Sequence, residues 1–181
     1  MAVDIIQEIK NYLGNAPVPK IDPNTQTPVK GETISVNVES DAVPVVLLAF
    51  YKNTRNEKDA STIMQQDDAS TLNILFKEHM QQVINTIGKH SDAGTDAAKR
   101  ALEKTVTAVK KIVTNNVKDL NGIAIMNFFT NQRTNILKHL PPELHGGELL
   151  NDPAMDDRTN KMEGPMSGMM HGIEKIFSSN K

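Results

Sequence analysis

Apolar positions recur at helical spacing over most of the chain, and the breaks between these runs set the order of elements. At 100° per residue, Ile5, Ile6, Ile9, Tyr12 and Leu13 fall within about 120° of one another, and Gln7, Glu8, Lys10 and Asn11 face away. Asp4 is a cap, Gln7 stands at the capping-box position and Gly14 is a stop, so a short amphipathic helix is predicted over residues 4–13. From Asn15 the pattern collapses. Pro17, Pro19, Pro23 and Pro28 each fix φ and remove a donor, which predicts an extended connector. Residues 33–39 then alternate, with Ile34, Val36 and Val38 apolar, the period of a strand that has no evident partner to pair with.

Beyond residue 40 every strong pattern is helical. Asp41 is a candidate cap for a helix with Pro44 in its first turn. The residues that follow are apolar nearly all round, so this helix is predicted to be central and buried. Asp-Ala-Ser-Thr occurs twice, at 59–62 and 68–71, each time as a helix start. Leu72, Leu75, Phe76, His79, Met80, Val83, Ile84 and Ile87 then form one stripe ending at Gly88. The segment from about Thr95 to Val117 is the most regular: Leu102, Val106, Val109, Ile112 and Val113 share one side, while Arg100, Lys104, Lys111 and Lys118 share the other. Another apolar helix covers Asn121 to Phe129, and a last short one covers Asn135 to Leu140 before Pro141-Pro142.

After that the composition shifts. Residues 141–157 carry five acidic and no basic side chains, against eight basic and four acidic over 91–140, so the acidic stretch is expected to fold back on the basic one. In the final segment Met166, Met169, Met170, Ile173, Ile176 and Phe177 lie within about 120°. Methionine at this spacing makes an adaptable packing surface more readily than a soft-metal site, and this stripe is the candidate docking face. The organisation predicted is thus an all-α, multihelical single domain. Residues 1–14 form an N-terminal amphipathic helix, 15–40 a proline-rich connector, 41–140 the helical core, and 141–181 an acidic turn segment with a methionine-rich C-terminal helix.

Ala42-Val43-Pro44-Val45-Val46-Leu47-Leu48, then Asn53 and the turn Asp67-Asp68-Ala69-Ser70-Thr71-Leu72, resembles the opening of the YidB-like family of small bacterial proteins. There a small-apolar-Pro segment starts a buried helix and a polar, Asp-rich turn precedes the next. The resemblance extends over roughly residues 40–140. It implies a multihelical fold and carries no biochemical activity.

Composition narrows the function classes. The 181 residues include no cysteine, which excludes a disulfide scaffold, cysteine-ligated zinc, iron–sulfur clusters and thiol catalysis. A formal net charge of −2 gives no global attraction to nucleic acid, and the stripe from Arg100 to Lys118 lacks interleaved aromatics, so it reads as a solvated face. The longest apolar run, Ala42 to Phe50, has nine residues, too few to span a bilayer. Asp4 and Glu8 stand where a signal peptide would be basic, which makes the cytoplasm, of a bacterial cell, the expected compartment.

No phosphate loop or nucleophile elbow occurs. The pairs Asp67-Asp68 and Asp156-Asp157 lie in turn-like sequence, and the five histidines have no ligand spacing. The expectation is therefore a non-enzymatic interaction or structural protein with no cofactor, no metal and no catalytic residues. Its partner is another protein or a second copy of itself. The alternative is a small-molecule or lipid-binding module with a pocket among Phe76, Met80, Met126, Phe128 and Phe129.

Overall fold

The computed structural model describes residues 3–22, 25, 27–31 and 37–152. Over these the chain is all-α: α1 (Ile5–Tyr12), α2 (Val38–Asn53), α3 (Glu57–Gln65), α4 (Asp68–Phe76), α5 (Met80–His90), α6 (Thr95–Asn116), α7 (Gly122–Leu137) and α8 (Gly146–Leu149). A 3-10 turn, Lys77–His79, joins α4 to α5, and a second, Pro142–Leu144, precedes α8. Extended pairing among the described residues is one isolated bridge, Ile21 to Pro28.

α2 is the axis. Ser40 to Phe50 are all buried, as expected of a segment apolar on every side, and α4, α5, α6 and α7 pack around it. Its start is three residues earlier than Asp41. Asn37 Oδ1 accepts from Ser40 N at 2.7 Å while Ser40 Oγ accepts from Asn37 N at 3.1 Å, a reciprocal box that outcompetes a lone Asp. Pro44 consequently sits inside the helix and not in its first turn. Val38 and Glu39 are helical, which corrects the strand expected there; residues 33–36 lie outside the described residues.

α1 forms where the pattern places it. Asp4 Oδ1 accepts from Gln7 N at 3.1 Å, and Ile5, Ile6 and Ile9 are fully buried against α6 and α7. Tyr12 departs from that face: it stays 44% exposed, with the Lys111 ammonium 5.3 Å from its ring centre. Gln132 of α7 fixes the entry, its Oε1 accepting from Ile5 N and its Nε2 donating to Val3 O. The proline connector lies against the body, with Ala16, Val18 and Ile21 buried and Ile21 N donating to Lys138 O at 2.6 Å.

Several helix boundaries differ from the pattern for local reasons. Asn56 caps α3 and Asp67 caps α4, so neither Asp59 nor Asp68 of the repeated tetrapeptide is the cap. The stripe expected to run unbroken to Gly88 divides at Lys77, whose φ is +46°. There Asn53 Nδ2 takes the Leu75 carbonyl, the acceptor that residue 79 would use in a continuous helix. α5 then runs past Gly88 to His90; a Cβ on Gly88 would lie 2.8 Å from the Gly94 carbonyl carbon, so this glycine serves close packing and not termination. Finally, α7 continues to Leu137, because no glycine or proline interrupts it.

The acidic segment does not settle on the basic stretch through its charge. Leu144, Leu149 and Leu150 are buried, Lys52 Nζ donates to Leu150 O, and Asp152 pairs with Arg55 at 2.7 Å, so residues 144–152 dock on α2. Apolar burial decides this placement, since exposed ion pairs contribute little. Phe50 and Phe129 stack at the centre, with centroids 5.3 Å apart, and Phe128 meets Phe129 edge-on at 5.4 Å.

Candidate functional site

The docking face predicted on Met166, Met169, Met170, Ile173, Ile176 and Phe177 lies outside the described residues. Of the proposed apolar pocket, Phe128 and Phe129 join Phe50 in the core between α2 and α7, while Phe76 and Met80 lie at the α4–α5 junction. With Met126, all five belong to or pack against one core cluster. Arg100, Lys104, Lys111 and Lys118 are all exposed, as a solvated stripe should be. Asp68 pairs with Lys110 at 3.1 Å and Asp67 caps α4, which gives both carboxylates structural partners. Among the described residues no group of three His, Asp or Glu side chains is placed to share a metal ion, and no helix is long and apolar enough to cross a membrane.

Two polar clusters, each built on one buried titratable side chain, carry more chemistry than these. In the first, the Asp41 side chain is 1% exposed and its Oδ2 lies 2.7 Å from Nδ1 of His90, linking the start of α2 to the end of α5. Burial pushes the Asp41 carboxyl up, and the hydrogen bond and charge of His90 oppose this only in part. Ser40 Oγ, 3.5 Å from Asp41 Oδ1, is engaged with the Asn37 carbonyl, so the pair is an oriented imidazole on a buried carboxylate that clamps two helices. Asp41 reads as a cap and His90 as a lone histidine in the sequence. Only the fold joins residues 49 positions apart.

In the second cluster, His139 is 3% exposed and donates from Nδ1 to the Asn135 carbonyl at 2.8 Å, while Asn135 Nδ2 donates to Asp4 Oδ1. Burial pushes the imidazole down, and the hydrogen bond to Asn135 O offsets this in part. A lowered folded-state pKa means that the unfolded chain binds the proton more tightly. Stability is therefore full above the ordinary value of 6.5 and falls as pH drops from there towards the lowered value. Asp41, raised, acts in the opposite direction, favouring the folded state as pH falls through its own range. The expected result is that His139→Gln reduces the loss of stability between about pH 7.5 and about pH 5, read as the difference in urea midpoint between wild type and variant.

A third feature is a recess of about 190 Å³. Lys52 and Asn53 from the end of α2 form one wall, residues 75–79 a second, and Leu150 with Asn151 a third. Asn53 is fixed by donating Nδ2 to the carbonyls of Ala49 and Leu75. Lys77 and Asn151 both take positive φ, +46° and +53°; asparagine adopts this readily, whereas lysine holds it only under constraint from its surroundings. The sequence gives no advance signal of this site, because its walls come from segments about 25 and 75 residues apart with no shared motif.

No protein-family model, no curated protein and no solved structure matches the chain.

Proposed function

We propose that this chain is a non-enzymatic interaction or structural protein whose docking element is the stripe from Met166 to Phe177. One observation supports this reading above others: the apolar stripes of the described helices are spent on one core, from Ile5 in α1 to Leu150 beyond α8. The sequence carries one more stripe of the same width, rich in methionine, and such faces suit shallow helix-in-groove contacts. The partner is another protein or a second copy, and the YidB-like resemblance bears on fold alone.

The test compares the full chain with a Met169→Glu/Ile173→Glu variant in a pull-down from the native host. Both samples are also sized in solution. The reading predicts that a partner protein or a self-assembled species is kept by the wild type and lost by the variant while the variant's melting temperature is unchanged. Retention of every associated species by the variant would remove the basis for this function.

A further inference from the structure

The recess between α2, the α4–α5 junction and the chain after α8 has an excess of positive charge at a fixed place. Lys52 cannot swing away freely, because its ammonium donates to the Leu150 carbonyl, which leaves its remaining protons for another acceptor. Lys77 is held by a backbone turn and not by a helix, and His79 follows it in the same wall. Against these stands one carboxylate, Glu78, whose side chain is 74% exposed and 3.5 Å from His79 Nε2. Leu75, Phe76 and Leu150 supply apolar wall beneath the charged rim.

We propose that this recess binds a small phosphorylated molecule, its phosphoryl group lying among Lys52, Lys77 and His79 and its body against Leu75 and Leu150. The donor set selects phosphoryl over a planar carboxylate. The Lys52 ammonium from α2 and the Lys77 ammonium and His79 imidazole from the 3-10 turn line the same recess as point donors, which suits a compact tetrahedral dianion. A planar carboxylate is matched best by the parallel fork of an arginine, and Arg55 is already paired with Asp152. The volume accommodates a phosphoryl group with a few attached atoms, below the roughly 300 Å³ at which drug-sized sites begin.

Glu78 already reports the local field. Its carboxyl is held below the usual range by its own backbone N–H, and the charges of His79, Lys77 and Lys52 act in the same direction. Lys52, Lys77 and His79 therefore act on one carboxyl group, and Glu78 occupies part of what the ligand requires. Being mostly exposed, Glu78 turns out into solvent when a dianion enters, at the cost of residual repulsion. The proposal thus predicts opposite effects at adjacent positions.

The probe is inorganic phosphate, titrated into the full-length protein at constant ionic strength and followed by backbone amide NMR shifts. Saturable shifts are expected at residues 52–53, 77–79 and 150–151. Lys77→Gly removes a charge and leaves a residue that accepts positive φ without strain; it is expected to weaken binding about fivefold. Glu78→Gln is expected to tighten it by a similar factor, about fivefold, and depends on no loss of structure. Absence of saturable shifts at these amides, or shifts of equal midpoint in all three proteins, would overturn the site and leave only a general salt effect. An affinity that Glu78→Gln lowers would overturn it as well.

Discussion

Phe129→Ala is expected to cost about 3–5 kcal/mol, the range for removing a fully buried aromatic side chain and leaving its cavity. Phe129 is 0% exposed, lies nearly parallel to Phe50 at 5.3 Å and stands perpendicular to Phe128, so it ties α7 to the central helix α2. Neither neighbour can collapse into the space without moving a helix, which places the cost in the upper part of that range. Set against total stabilities of about 5–15 kcal/mol, such a loss is a large share of what holds the fold. Urea unfolding monitored by far-UV circular dichroism checks this through a lowered midpoint at unchanged slope. Phe128→Ala is the internal comparison, and because that ring is only partly buried its loss should be clearly smaller.

Gly122→Ala carries the second large expected effect, and it reverses the usual sign. Exchanging glycine for alanine in a helix ordinarily stabilises by about 0.4–1 kcal/mol through the unfolded chain. At Gly122 an added Cβ would stand 2.0 Å from the Glu57 carbonyl oxygen and 2.7 Å from its carbon, where α7 starts against the start of α3. Glu57 Cγ, at 2.5 Å, could turn aside, but the other two obstructing atoms are backbone, so no rotamer change relieves the clash and the two helices must separate. The expected cost is about 3 kcal/mol, the upper end for overpacking. Differential scanning calorimetry of Gly122→Ala checks this directly. An unchanged or raised melting temperature would mean that α3 and α7 do not approach so closely.

These two sites mark where pattern reading succeeds and where it stops. The burial of α2, the apolar face of α1 and the limits of α6 follow from periodicity, because each segment is long or strongly sided enough for packing to obey it. Helix boundaries fail where a nearby group competes. Asn37 with Ser40 displaces Asp41 as a cap, Asn53 removes the carbonyl that would carry α4 into α5, and the leucines after Pro142 outweigh the charge that pointed towards residues 91–140. Gly122 looks like any helix-start glycine until the fold brings Glu57 beside it. The polar clusters were invisible for the same reason. Asp41 with His90, Asp4 with Asn135 and Lys52 with residues 77–79 are each joined only by tertiary structure, and no local spacing encodes them.

In the function proposed above, the stripe from Met166 to Phe177 serves a partner and not the core built around α2. The most direct test is urea unfolding of the full chain beside a version ending at Asp157. Unfolding free energies equal within about 0.5 kcal/mol, the scatter of changes remote from a core, are expected for a docking stripe. A shorter chain less stable by about 2 kcal/mol or more would place the methionine stripe inside the folded body and contradict the docking role.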